Sequence, residues 1–178
     1  MKIRRLMEEI QIVPCFAPGS DQNADLASDW VSLKNYDSCL LVFHKAAGTA
    51  GDDPSIRLQQ ATDVAGTGAK SLNFTHIYHK IGATALDAIG TFTRVDLTTA
   101  TDDLDLVSVN SVDLLTDVGE TMICVEVKAS DLDVVNSFDC VNFLLEGDDV
   151  GNANLCAAYL VLYNARYPGA TPLSAIAD

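Results

Sequence analysis

Basic residues, histidines and long apolar runs are scarce in this chain. Its 178 residues include 11 Lys and Arg against 25 Asp and Glu, a formal net charge of −14. An acidic surface repels nucleic-acid phosphates, so we expect no nucleic-acid partner. No window of about 18 uninterrupted apolar residues occurs, which predicts no membrane-spanning helix. Only three histidines are present and no G-x-S-x-G sequence, so no hydrolase nucleophile is recognisable and we predict no enzyme.

Closely spaced cysteine pairs are also missing. The five cysteines are odd in number, and no two of them form a C-x-x-C motif; they are Cys15, Cys39, Cys124, Cys140 and Cys156. The last four lie in or beside apolar runs, which favours buried free thiols over a disulfide framework. A catalytic Cys–His pair stays geometrically open, although five cysteines and three histidines generate such pairs by chance.

Two apparent ligand motifs fail on their spacing. The segment 66–71 superficially resembles a phosphate loop, but Val64 and Ala69 stand where such a loop requires glycine. A glycine-rich hairpin is therefore predicted there. His76 and His79 have a spacing that suits one face of a helix, whereas in a strand they point to opposite faces. We therefore predict no zinc site.

Acidic clusters in turn-like segments leave one metal open. They are Asp52-Asp53, Asp102-Asp103-x-Asp105 and Asp148-Asp149. Loop carboxylates can bind Ca²⁺, but none of these clusters has the spacing of an EF-hand. Solvated turns are the ordinary interpretation, so the sequence predicts no resident metal and no cofactor.

Alternation with a period of two residues dominates the chain. Residues 121–128 place three aliphatic side chains on one face, and 138–146 alternate likewise. Residues 155–163 are apolar throughout, which predicts a strand buried on both faces. Further strands are predicted at 10–13, 39–45, 55–60, 74–80, 92–97 and 104–109. Because turn signals separate these strands, we predict an all-β fold, an antiparallel β-sandwich of jelly-roll type.

Helix signals are few and weak. A single turn is predicted at 130–135, with Ser130 as N-cap and Asp133 in the capping-box position, and another short helix at 2–9. Glu8 and Glu9 fall where a secretory signal requires apolar residues, so synthesis in a cytoplasm is expected. The domain organisation we predict is an N-terminal arm at 1–14, a sandwich at 15–163 and a C-terminal arm at 164–178.

Several segments of the chain resemble a structural protein that recurs in tailed bacteriophages. The resemblance covers nearly the whole length, and its clearest stretches are Trp30-Val-Ser-Leu-Lys-Asn-Tyr36, Gln60-Ala-Thr-Asp-Val-Ala-Gly-Thr-Gly-Ala-Lys-Ser-Leu-Asn-Phe74, the start Ile3-Arg4-Arg5-Leu6, the segment 126–141 and the ending Val161-Leu-Tyr-Asn-Ala-Arg166-Tyr167. The chain is thereby similar to the head decoration, or capsid cement, proteins of these phages. The family has no catalytic residues to carry over.

The resemblance implies a virion protein on the capsid exterior. Its partners would be the major capsid protein and neighbouring copies of itself, with no membrane involved. A carbohydrate-binding or receptor-binding β-sandwich of a phage fibre is the alternative. Many copies that each bridge neighbouring capsomers would stabilise a shell by multivalency.

Charge and composition suggest which residues would make these contacts. Lys2, Arg4 and Arg5 precede a remainder that carries 8 basic against 25 acidic residues, a net charge of −17. They are therefore candidates to contact an acidic shell that would repel the body. Trp30 is either a contact anchor or a core or rim side chain. Tyr167 and Pro168 begin an extended tail, and frayed termini are the plainer alternative.

Overall fold

Twelve β-strands and three short 3₁₀ turns form the regular structure in the part of the chain that the computed structural model describes. That part comprises residues 5–21, 24–47, 55–82, 91–96, 120–147, 155–167, 169, 171 and 173–176. The strands are β1 Gln11–Pro14, β2 Ser20–Asp21, β3 Leu26–Ala27, β4 Val31–Ser32, β5 Tyr36–Lys45, β6 Ser55–Ala61, β7 Lys70–Ser71, β8 His76–Gly82, β9 Thr93–Asp96, β10 Glu120–Lys128, β11 Cys140–Glu146 and β12 Leu155–Ala165. None of the helical turns in these ranges is long and apolar enough to cross a membrane.

The strands form two antiparallel sheets. The large sheet has the order β1-β12-β5-β10-β8-β9, and β2 also pairs with β12. The small sheet has the order β3-β11-β6-β7, and β4 also pairs with β11. The two sheets pack face to face, as predicted for a sandwich.

The pairing follows the topology of a jelly roll. Four pairs make up one long folded hairpin: β1 with β12, β3 and β4 with β11, β5 with β10, and β6 with β7. Rolling that hairpin up adds the pairs β12 with β5 and β11 with β6. β8 and β9 then extend the large sheet beyond β10. The predicted fold class is confirmed.

The core lies between the sheets and follows the alternation read from the sequence. In β10 the inward residues Ile123 and Val125 are fully buried, and in β11 Phe143 is fully buried opposite them. The rings of Phe43 and Phe143 approach from opposite sheets with centroids 6.0 Å apart. Alternate inward residues of two strands thus meet to form the dry layer of the sandwich.

The prediction for the last strand was wrong on one face. Cys156, Ala158, Leu160 and Leu162 point into the core and are buried. The opposite face is not covered, because Leu155 and Tyr159 remain 57% and 39% exposed. A run of apolar residues shows that both faces of a strand lack charged side chains. It does not show whether another part of the protein covers each face.

The predicted helices also differ from the structure. Residues 129–131 and 134–136 form separate 3₁₀ turns, and the N-cap of the first is Lys128 instead of Ser130. Asp131, not Asp133, accepts the hydrogen bond from the Lys128 backbone N–H, at 2.9 Å. At the N-terminus the only described helical residues are Leu6–Glu8, again a 3₁₀ turn. The strand predicted at 104–109 lies outside the described residues.

Both terminal arms are shorter than the predicted segments 1–14 and 164–178. Gln11–Pro14 pairs with β12, so the boundary drawn at residue 14 lies inside the large sheet. Beyond β12, Leu173 and Ser174 accept hydrogen bonds from Tyr36 Oη and Asn35 Nδ2 at 2.7 and 3.1 Å. The Ser32 N–H donates to Ala175 O at 2.7 Å, and Ala175 is buried. Residues 173–175 are therefore anchored on the sandwich.

Candidate functional site

The residues predicted to make contacts converge on one end of the sandwich. β1 begins there with Gln11 beside Leu162, and β11 begins there with Cys140 beside Ser32 and Ala61. We call this the arm end and define it by the loops 62–69 and 129–139 and the segments 5–10, 28–35 and 164–176. Arg5, Trp30 and Tyr167 all belong to it. Lys2, Arg4 and Pro168 lie outside the described residues.

Trp30 belongs to the structure of the arm end more than to its exposed surface. It is half-buried, and its indole lies close to the turn at Gly66. A Cβ atom added to Gly66 would stand 2.5 Å from Trp30 Nε1, and Gly66 also has a φ of +80°. Of the two interpretations left open for Trp30, the structure favours the rim side chain.

The segment that resembled a phosphate loop is the hairpin turn between β6 and β7, as predicted. Asp63 Oδ1 accepts the N–H groups of Ala65 and Thr67 at 3.0 and 2.9 Å. These backbone bonds, with that from Thr67 the largest cause, lower the pKa of Asp63. The amides that would cradle a phosphate are thus occupied by the chain's own carboxylate.

The loop 129–139 presents two valines that the sequence had assigned to a helical turn. Val134 is exposed, and Val135 is 95% exposed. Their signal in the sequence is a Val-Val pair inside a turn rich in Asp, Asn and Ser, with no periodic partner to cover it. Exposed apolar side chains are informative when several of them share one region of the surface, so the two valines are considered with the rest of this end.

Asp133 fixes the shape of this loop. Its Oδ2 accepts hydrogen bonds from Lys70 Nζ at 2.5 Å and Asn136 Nδ2 at 2.8 Å, and both bonds lower the pKa of Asp133. The Asp133 N–H donates to the buried Gln60 Oε1 at 2.7 Å. Lys70 Nζ also lies 4.1 Å from the centroid of the Phe138 ring. The valines are therefore presented in one conformation, which reduces the entropy lost on binding.

Other exposed apolar side chains belong to the segments of the arm end. They are Leu6, Met7, Tyr167 and Ile176, of which Tyr167 is 74% exposed. The basic side chains nearby are paired with aspartates of the same domain: Lys34 with Asp139 at 3.7 Å, Lys70 with Asp133 at 2.5 Å and Arg166 with Asp37 at 2.8 Å. This end therefore exposes apolar groups beside basic side chains that are already paired with carboxylates of the same domain.

The histidines occupy three different environments. His44 Nε2 lies 2.6 Å from Glu120 Oε1, on a pocket of about 560 Å³ at the other end of the sandwich. His76 stacks edge-on against Tyr78 on the outer face of the large sheet, while His79 is buried on the inner face. His76 and His79 therefore point to opposite faces of β8, as predicted for a strand. In the described ranges no three His, Cys, Asp or Glu side chains are grouped to hold an ion.

All five cysteines are buried free thiols. Burial raises the pKa of Cys15 to about 12 and of Cys156 to about 11, and it raises those of Cys39 and Cys124. A nucleophilic cysteine requires a lowered pKa, so these four thiols are poorly suited to catalysis. The acidic clusters considered for Ca²⁺, at 52–53, 102–105 and 148–149, lie outside the described residues.

The chemistry of the arm end is thus that of a contact surface, with exposed aliphatic and aromatic side chains and a loop fixed by hydrogen bonds. Comparison of the chain with protein-family models, with curated proteins and with solved structures found no match.

Proposed function

We propose that this chain is a structural virion protein that binds the outer surface of a tailed-phage capsid and stabilises it. Three features support the proposal: the resemblance to head decoration proteins along most of the sequence, the jelly-roll sandwich, and the contact surface at the arm end. Fold alone does not determine function, because jelly rolls occur in capsid proteins, lectins and cupins alike. The arm end carries the proposal.

The arm end suits a docking role because its apolar groups are both exposed and fixed. Val135 projects from a loop that Asp133 ties to Lys70 and Gln60, so binding would order little that is not already ordered. Tyr167 adds an exposed aromatic side chain of the kind enriched in interface hot spots. Arg5 and the residues before it would add basic charge beside these groups.

The direct test is the location and copy number of the protein in purified particles of the phage that encodes it. We expect quantitative mass spectrometry of DNA-filled heads to find it in many copies per shell, and electron cryomicroscopy to place it outside the capsid lattice. Its absence from heads would refute the proposal. Its presence on fibres, together with binding on a glycan array, would establish the alternative role.

The test of the surface is an add-back experiment on heads from which the gene has been deleted. We expect purified Val135→Asp protein to bind these heads at least about tenfold more weakly than the unaltered chain, because the variant buries a carboxylate in an apolar contact. Thr93→Asp makes the same change of charge on exposed β9 and serves as the matched control. Equal binding of both variants would exclude Val135 from the interface.

A further inference from the structure

The outer face of the large sheet is apolar across three adjacent strands. Over the length of β5 from Ser38 to His44, the outward side chains of β1, β12 and β5 include no carboxylate, lysine or arginine. These outward side chains are Ile12, Pro14, Leu155, Ala157, Tyr159, Val161, Tyr163, Ser38, Leu40, Val42 and His44. Ile12, Leu155 and Tyr159 are 39–57% exposed. We call this surface, extended by the outward residues of β10 and β8, the large-sheet face.

The outer face of the small sheet shows what a solvated face of this protein looks like. There Arg57 pairs with Glu146 at 2.8 Å, and Gln59 is partly exposed two residues further along β6. An antiparallel sheet with one face in water normally alternates in this way. The part of the large-sheet face formed by β1, β12 and β5 departs from this rule in a chain of net charge −14, which indicates that another surface covers it.

From the large-sheet face we infer that the chain forms a two-fold dimer in which the large sheets of two copies stack face to face. The inference does not depend on the proposed function. Strands lie about 4.8 Å apart and rise about 3.3 Å per residue, so five strands over the length of Leu155 to Tyr163 cover roughly 24 by 27 Å. Two such faces would bury on the order of 1,300 Å², which is enough for a specific interface.

The charges on β10 identify the occupant as a second copy. Cys124 lies at the centre of the strand, in one cross-strand row with Val42 and Tyr159. We place the two-fold axis between the two sheets, along this row and perpendicular to the strands. The strands of the second copy then run in the opposite direction, so a residue before Cys124 in one copy faces the residue that lies equally far after Cys124 in the other. Glu120 of each copy then faces Lys128 of the other, and this pair forms twice.

The same axis matches the remaining outward residues of the three central strands. Glu126 faces Met122 of the other copy, between that copy's His44 and Lys80, which lie in the neighbouring strands. In β12, Leu155 faces Tyr163 about Tyr159. In β5, Leu40 faces His44 of the other copy about Val42. Along β12, aliphatic and aromatic groups thus meet one another, and each acidic side chain of β10 approaches a basic or neutral one. An unrelated partner would not require such mirrored charges about a single residue.

The test is sedimentation equilibrium of the full chain without capsids. We expect a dimer at micromolar concentration that Tyr159→Lys weakens on the order of 100-fold, because two lysines would meet at the axis. Gln59→Lys adds the same charge to the small-sheet face and should leave the dimer intact. Both variants should keep the circular dichroism spectrum of the unaltered chain, since both positions point outward, and only Tyr159→Lys should lose the stability that association adds. A monomeric unaltered chain, or a dimer insensitive to Tyr159→Lys, would overturn the inference.

A charge exchange tests the placement of the axis. Glu120→Lys and Lys128→Glu should each weaken the dimer by opposing like charges, and the double variant should restore it by reversing both pairs. Failure of the double variant to recover the dimer would refute this arrangement. If the free chain is monomeric and Tyr159→Lys instead abolishes binding to heads, the face is a capsid contact and self-association is excluded.

Discussion

Gly66 and Trp30 form a contact that holds the β6–β7 turn against the entrance to β4. The turn requires a left-handed residue at position 66, and the indole requires that this residue have no side chain. Gly19 has the same φ of +80°, but no atom lies within 4 Å of a Cβ added there. The two glycines therefore separate the conformational cost of a substitution from the steric cost.

We expect Gly19→Ala to lower the free energy of unfolding by about 1–2 kcal/mol, the cost of a left-handed alanine. Gly66→Ala should cost about 1–3 kcal/mol more, because the methyl group would displace the Trp30 ring. Urea unfolding followed by tryptophan fluorescence measures both, since Trp30 is the only tryptophan. Equal losses for the two variants would show that Trp30 does not restrain the turn.

His79 is a buried histidine whose protonation disfavours the fold. It is 7% exposed, and its Nδ1 has no hydrogen-bond partner. Its register partners are Ile123 in β10 and Thr93 in β9, neither of which can balance a positive charge. Burial accordingly lowers the pKa of His79 below its ordinary value of 6.5.

Stability should therefore fall as the pH drops below 6.5. In that range the unfolded chain binds a proton at His79 that the native chain does not, and the loss levels off once the pH passes below the lowered native pKa. We expect His79→Phe to flatten the dependence of the melting temperature on pH between 7 and 5. His76→Phe, on the opposite face of β8, should retain the slope. An unchanged slope in His79→Phe would assign the effect to other groups.

At the scale of elements, the alternating strands were predictable and the uniform ones were not. β10 and β11 carry inward aliphatic and aromatic residues at every second position, so a strand with one buried face was the only arrangement that fitted. β12 is apolar on both faces, and the same sequence suits a strand between two layers or one that faces a partner. Tyr159 could be assigned only when its exposure was known.

The loop 129–139 shows a second limit of local patterns. A capping box was predicted from Ser130 and Asp133, but the Asp133 carboxylate bonds to Lys70, which is distant in sequence. Likewise, no local signal pairs Trp30 with Gly66. Contacts between residues far apart in the chain decide which of several local options is adopted, and they formed most of the candidate site.

At the scale of the whole molecule, the two proposed surfaces are compatible. The arm end lies at the ends of the strands, whereas the large-sheet face runs along their length. A dimer through the large-sheet face therefore leaves both arm ends free. Because the axis reverses strand direction, the two arm ends would point in opposite directions. A dimer lying along a shell could then contact two neighbouring capsomers, and the second contact would gain from the effective concentration set by the first.

The N-terminal segment provides the last prediction, which concerns this contact. Residues 5–9 lie on the surface, whereas Ile10 is buried and Gln11 begins β1, so deleting residues 1–9 removes the basic start without removing a strand. We expect the shortened protein to keep its circular dichroism spectrum and melting temperature. On heads that lack the gene product, it should bind with lower occupancy and raise the rupture temperature of the shell less than the full chain does.

The outcome depends on whether residues 1–9 bind the shell through their basic charges or through their apolar side chains. Lys2, Arg4 and Arg5 would attract an acidic shell, so replacing all three with glutamine should reproduce the effect of the deletion and make binding less sensitive to salt. If Leu6 and Met7 carry the contact instead, the glutamine variant should bind fully and the deletion alone should fail. Full occupancy and unchanged rupture temperature with both variants would show that the segment contributes nothing, and the arm end would then depend on Val135 and Tyr167 alone.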